Sequence, residues 1–147
     1  MEKDEALEIT KWHYESTYSF YDLENDQDDL QEFLNLENTP NKSFFSALNE
    51  NMELAGFFEL THREDCIEVG LGMRPDLTGM GMGLSFVQSG MKFLRTNYPI
   101  RKIKLLVLSS NKRAQIVYER AGFMARDSIL MESNNGKFCF TEMVLEP

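Results

Sequence analysis

Cysteine and histidine are scarce in this chain, with two of each. Cys66 and Cys139 stand far apart and form neither a metal-ligand spacing nor a disulfide framework. Both read as small buried hydrophobes of a reducing compartment. His13 and His62 show no ligand spacing either, so no metal is expected. No apolar run is long enough to span a bilayer. The acidic start Met1-Glu2-Lys3-Asp4-Glu5 lacks the apolar core of a signal peptide. A cytoplasmic protein without membrane association is therefore expected. Positive charge is short as well: 15 Lys and Arg face 24 Asp and Glu, a net charge of −9. That speaks against nucleic acid, which needs a basic face, and is compatible with a cationic ligand. The absence of Gly-Lys-Ser and Gly-Lys-Thr excludes a P-loop.

What is present is enough for one domain over residues 1–147 with a substantial core. The informative stretch runs from Val69 to Leu84. Residues 66–73 have strand character, broken by Gly70 and Gly72. Arg74-Pro75-Asp76 stops the strand, because proline brings no amide hydrogen to a ladder. Gly79, Gly81 and Gly83 then fall at every second position, directly before an amphipathic helix. Glycine lets a ligand approach the main chain, and the first amides of a helix form an anion site. The functional reading is a phosphate cradle. The plain alternative is a flexible turn. The dinucleotide fingerprint G-x-G-x-x-G fits poorly, because the spacing is G-x-G-x-G and five residues separate strand from glycine.

The remaining chain reads as alternating elements. Leu7, Ile9 and Lys11 suggest a first strand over residues 6–12. Tyr14, Tyr18 and Tyr21 then recur at helical spacing, either as packing or as a pocket wall. An acidic start at Asp26 or Asp28 suits a helix to about residue 36, with Leu30, Phe33 and Leu34 buried. Strands are expected over residues 43–48, 53–61 and 66–73, a helix over 81–97, and a buried strand over 103–108. The strand–helix–strand order demands a parallel crossover. A helix over residues 112–121 begins at an Asn111 cap and ends at Gly122. Strands over 123–131 and 137–146 flank the turn Asn134-Asn135-Gly136. The sum is an α/β domain with a largely antiparallel sheet.

Two segments together resemble the GCN5-related N-acetyltransferase (GNAT) superfamily. Thr78-Gly79-Met80-Gly81-Met82-Gly83 is similar to that family's Arg/Gln-x-x-Gly-x-Gly/Ala motif. Asn111-Lys112-Arg113-Ala114 with Tyr118-Glu119-Arg120-Ala121-Gly122-Phe123 is similar to its Asn-x-x-Ala, Tyr-x-x-x-Gly-Phe segment. The resemblance implies a GNAT fold: a mixed, mostly antiparallel twisted sheet of about six or seven strands, about four helices, and splayed central strands. It implies acetyl-CoA as co-substrate, with a bulge at Gly70 and Gly72 and with Leu71 and Met73 facing the pantetheine. Thr78 stands where the family has Arg or Gln, and the loop carries no positive charge. The amides of Met80, Gly81, Met82, Gly83 and Leu84 would then carry most of the pyrophosphate binding, beside Gly79. Asn111, Arg113 and Ala114 would complete the cofactor site.

In the family reading the Leu71 amide polarises the thioester oxygen and Tyr118 is the general acid. Glu68 is the candidate base, with Glu59 as the alternative; both otherwise read as surface carboxylates. Tyr14, Tyr18 and Tyr21 are candidates for the acceptor wall. The expected activity is transfer of acetyl to a primary amine of a small molecule or peptide, with homodimerisation left open. The rival is a non-catalytic acyl-CoA-binding or sensing module. A dinucleotide-binding oxidoreductase is remote.

Overall fold

The computed structural model describes residues 1–14, 27–35, 40–99, 101–133 and 136–147. Two helices come first, α1 (Lys3–Ile9) and α2 (Gln27–Leu34). The strands β1 (Lys42–Leu48), β2 (Leu54–His62) and β3 (Cys66–Met73) form an antiparallel meander. A short 3₁₀ turn at Pro75–Leu77 leads to α3 (Gly83–Asn97), then β4 (Lys102–Leu108). Helix α4 (Lys112–Arg120) and the hairpin β5 (Met124–Ser133) and β6 (Gly136–Leu145) close the chain. The sheet order is β1-β2-β3-β4-β6-β5. Only β3 and β4 pair in parallel, because α3 carries the chain back between them. Tyr18, Tyr21, the acidic stretch from Asp22 to Asp26, and Asn134 with Asn135 lie outside the described residues.

The N-terminal segment differs from its expected strand. Ala6 and Ile9 are each 1% exposed while Leu7 is 40% exposed, a spacing of three instead of two. The Glu2 amide donates to the Glu5 carboxylate at 2.8 Å, and Asp4 and Glu5 occupy the first turn. Acids there favour a helix start. The other strands and helices begin and end within two residues of their expected bounds. Two burial expectations also change. Leu34 is exposed, because Phe33 is the residue that α2 sends to the sheet. Cys139 is exposed as well, on the part of β6 that pairs only with the exposed outer strand β5.

Side chains alternate across the sheet, so it carries a core on each face. One face packs Phe58, Leu60, Ile67 and Val69 against Val87, Met91 and Leu94 of α3, with α4 alongside. The other packs Ala6, Ile9, Trp12, Phe33, Phe44 and Leu54 into a smaller cluster with Phe57. Phe33 meets Phe44 and Phe57 edge-on, with ring centroids at 5.4 and 5.0 Å.

The central feature is where the sheet stops being a sheet. β3 and β4 pair only at Cys66↔Lys102, Ile67↔Ile103 and Glu68↔Lys104. Both strands continue past that point without pairing. The bulge expected at Gly70 and Gly72 is absent: the β2–β3 register runs unbroken from Gly56↔Met73 to His62↔Ile67. Gly72 serves close approach instead. A Cβ on Gly72 would meet the Phe57 ring at 2.6 Å.

Phe33 joins α2 to the sheet at the smaller core. Phe33→Ala should lower unfolding stability by about 3–5 kcal/mol, the usual cost of emptying a buried aromatic site. Urea melts of the two proteins check this.

Candidate active site

The hydrogen bonds at the ends of the β2–β3 ladder fix which way each β3 residue turns its main chain. Arg63 N–H donates to Cys66 O at 2.9 Å, and Arg74 N–H donates to Ala55 O at 2.8 Å. In an antiparallel pair such rungs recur at every second residue. Glu68, Gly70 and Gly72 therefore turn their amides and carbonyls to β2. Ile67, Val69, Leu71 and Met73 turn theirs toward β4. Past Glu68, β4 no longer pairs there, so Leu71 and Met73 present their main chain to an open gap. The Tyr14 hydroxyl donates to Met73 O at 2.8 Å, at the outer end of that gap.

On the α3 and α4 side, the gap opens into a cavity of about 350 Å³. Of the expected cofactor residues, Leu71, Met73, Thr78, Gly79, Gly81, Gly83, Leu84, Arg113 and Ala114 line it, with Tyr118. Three do not. Met80 is 66% exposed, Met82 lines a neighbouring cavity, and Asn111 caps α4, its Oδ1 accepting from Ala114 N–H at 3.1 Å. Gly79 and Gly81 have φ of 73° and 79°, a region that side chains rarely adopt. They turn the chain into α3. That helix has no side-chain cap and no acid in its first turn. Its first amides thus keep the positive end of the helix dipole free of a cap side chain and of first-turn acids.

The charge missing from the loop comes from α4. Arg113 Nη1 stands 3.4 Å from where a Gly79 Cβ would be, and Arg120 lines the same cavity. Arg120 was not anticipated, although it lies seven residues after Arg113 and so on the same helix face. The Thr78 hydroxyl donates to Pro75 O at 2.7 Å and so closes the 3₁₀ turn. Val117 of α4 packs at 3.4 Å from the Gly83 Cβ position, which sets the close approach of α3 to α4.

On the opposite face, Gly70 and Gly72 leave β3 bare. The Glu59 carboxylate lies over Gly70, its Oε2 3.8 Å from the Gly70 Cβ position. Lys42 pairs with Glu59 Oε1. Tyr14 reaches the same face, with its hydroxyl 3.2 Å from the Gly72 Cβ position. Glu68 sits at the closed end, where β3 and β4 still pair, and its Oε2 is 3.3 Å from Arg63 Nη2. Cys66 lies deeper still; burial pushes its thiol up, helped by the Asp65 charge. It therefore stays a protonated thiol at neutral pH and offers no thiolate.

The sequence profile of the acetyltransferase (GNAT) family matches residues 6–123. This chain belongs to the GNAT acetyltransferase family. Solved structures of N-acetyltransferases share its fold. A chimera between the spermidine N-acetyltransferase of Vibrio cholerae and hSSAT has a TM-score of 0.80 at 20% identity, covering 99% of this chain and 92% of the other. The Vibrio cholerae spermidine N-acetyltransferase in complex with CoA and spermine has a TM-score of 0.78 at 19% identity, covering 99% and 91%. A candidate phosphinothricin N-acetyltransferase has a TM-score of 0.75 at 18% identity, covering 99% and 94%. No curated protein matches the sequence.

The turn that delivers the glycine loop is pinned by Arg74. Its Nη1 donates to Leu54 O at 2.9 Å, and its Nε donates to Asp76 Oδ1 at 2.6 Å. The hydrogen bond from Arg74 holds the Asp76 carboxyl below the usual aspartate range. The pairing is thus complete above the ordinary aspartate pKa and is lost as pH falls through the lowered value. In a carbon-detected NMR titration, Arg74→Ala should return the Asp76 carboxyl to the ordinary range. An unmoved titration would show that Arg74 does not hold it.

Proposed function

We propose that this chain transfers the acetyl group of acetyl-CoA directly to a primary amine. One observation carries the reading. The main chain of Leu71 faces a gap that opens on one side to a cationic, glycine-lined cavity and on the other to a bare strand under a carboxylate.

The two openings suit two different substrates. A pyrophosphate fits the amides from Gly81 to Leu84 at the start of α3, with the Arg113 and Arg120 guanidiniums to neutralise it. A pantetheine arm carries amides of its own and can pair with Leu71 and Met73 in place of the missing β4 rungs. Met73 O keeps a second lone pair beside the Tyr14 bond. The acceptor enters from the Gly70 face, where β3 has no side chain of its own and the Glu59 carboxylate stands over it. The amine complex of the Vibrio cholerae neighbour and the net charge of −9 both support a cationic acceptor.

Glu59 is better placed than Glu68 to serve as the base. Its carboxylate lies over Gly70, past the last β3–β4 pair, while Glu68 is drawn to Arg63 at the paired end. Glu59 takes one proton from the acceptor ammonium. The neutral amine then attacks the thioester carbon, and the Leu71 amide stabilises the oxygen as it gains charge. Collapse breaks the C–S bond and expels the thiolate, which Tyr118 protonates. A free tyrosine has a pKa of about 10, so the donor is protonated at neutral pH. The nitrogen's second proton leaves as the amide forms and balances the one that Tyr118 gives up.

Calorimetry should find that acetyl-CoA binds and NAD does not. Arg113→Ala should weaken acetyl-CoA binding by about tenfold or more, the scale of a lost charged hydrogen bond. Tyr118→Phe should cut turnover by about 10²-fold or more while acetyl-CoA affinity holds; an acyl-CoA sensor would have no turnover to lose. Glu59→Gln should cut turnover on the same scale, and Glu68→Gln only a few-fold. The reverse order would return the base to Glu68.

A further inference from the structure

The Gly70 face of the sheet carries ion pairs among its described residues. Three carboxylates stand on it, and each has a cation. Glu68 is matched by Arg63 at 3.3 Å, Glu142 by Lys104 at 3.6 Å, and Glu59 by Lys42. The last pair is different in kind. The Lys42 and Glu59 side chains are only 19% and 25% exposed, and theirs is the shortest of the three contacts. Diagonal placement across β1 and β2 brings them together, since Lys42 pairs with Thr61 and Phe44 with Glu59.

The two oxygens of Glu59 do different things. Oε1 holds the Lys42 ammonium. Oε2 lies over Gly70, beside the open gap. A lysine Nζ is a primary ammonium on an unbranched alkyl chain. It has the same chemistry as the head group of an alkylamine acceptor. We infer that Lys42, held on Oε1, competes for the charge of Glu59 with an acceptor ammonium that meets the same carboxylate at Oε2, and so sets how strongly a cationic acceptor binds. This rests on the reading of Glu59 as the group that meets the acceptor.

The electrostatic consequence is direct. A Lys42–Glu59 pair has no net charge, so an incoming ammonium meets a neutralised carboxylate. It gains full attraction only as Lys42 swings away, and two ammoniums sharing one carboxylate repel each other. Removing the Lys42 charge leaves Glu59 with a full negative charge facing the gap. The acceptor then binds more tightly, and Glu59 without its cation is the stronger base for the proton that the acceptor gives up, while Leu71 and Tyr118 are not in contact with the change.

Two measurements test this, with spermine and butylamine as probes. In steady-state thiol release at saturating acetyl-CoA, Lys42→Met should lower KM for both amines by roughly five- to tenfold, the scale of a coupling between adjacent charged sites. The kcat should not fall, because the change leaves Glu59 the stronger base. An unchanged or raised KM overturns the proposal. The second measurement uses the wild-type chain with ¹³C,¹⁵N-labelled lysine. Saturating spermine should move the Lys42 ¹³Cε and ¹⁵Nζ resonances toward their positions in Glu59→Gln, and in that variant spermine should no longer move them. A Lys42 signal unmoved by spermine overturns the proposal whether or not turnover is seen. A responding Lys42 without any thiol release would sink the transferase reading and leave the ammonium site standing.

Discussion

A parallel ladder that ends after three pairs, in the middle of a sheet, is the constraint on which the rest depends. Main-chain amides and carbonyls in a protein interior need partners. β3 and β4 stop supplying each other's beyond Glu68 and Lys104. The strands stay apart because each has a complete ladder on its other edge, β3 with β2 and β4 with β6. The groups of Leu71 and Met73 are therefore held at fixed spacing with nothing from β4 to satisfy them. Tyr14 answers one of them, at Met73 O. A ligand with its own amides is the natural complement to the remainder. The gap is in effect a vacant strand position whose two neighbours are already rigid.

An acidic protein that is to bind a highly charged anion, as proposed for this chain, must make a local exception to its own field. Here the exception is built from backbone and from a second helix, and not from the loop sequence. α3 starts without an acid or a side-chain cap, and a helix N-terminus carries roughly half a positive charge. Arg113 and Arg120 bring full charges from α4, which Gly83 allows to approach closely. The glycines thus act twice: Gly79 and Gly81 take left-handed turns that aim the amides, and Gly83 admits the helix that carries the cations.

Most of the fold was legible because its signals are local. Period-two strands, a proline stop, the Asn111 cap and Gly122, with φ of 104°, each act over a few residues. The N-terminal helix was not, because Leu7, Ile9 and Lys11 alternate by chance while burial follows Ala6 and Ile9. The residues that line the α3–α4 cavity were largely legible, since they form two contiguous motifs and include Arg113. Arg120 was not, because it reaches the cavity only through the packing of α4 on α3. The acceptor side was the least legible. Glu59 and Lys42 are 17 positions apart, and nothing short of strand register brings them together. Gly70 and Gly72 were read as a bulge, yet the register is unbroken; Gly72 makes room for Phe57, and Gly70 lies under Glu59.

That asymmetry follows from how the two faces are made. The cofactor face is recognised mainly by backbone, so its residues are chosen for conformation and leave short, regular patterns. The acceptor face is recognised by side chains standing on separate strands. Each can change without disturbing the ladder beneath it, because a residue on one face of a strand does not set its neighbour on the other. The fold is shared at 18–20% identity with enzymes named for spermidine and for phosphinothricin, so one frame can carry different side chains on this face. In our proposal the acceptor positions of this chain are Glu59 and Lys42 over Gly70, with Tyr14 at the outer end of the gap. The pairing of Lys42 with Glu59 places an amine and a carboxylate where an acetyltransferase needs to tell one amine from another.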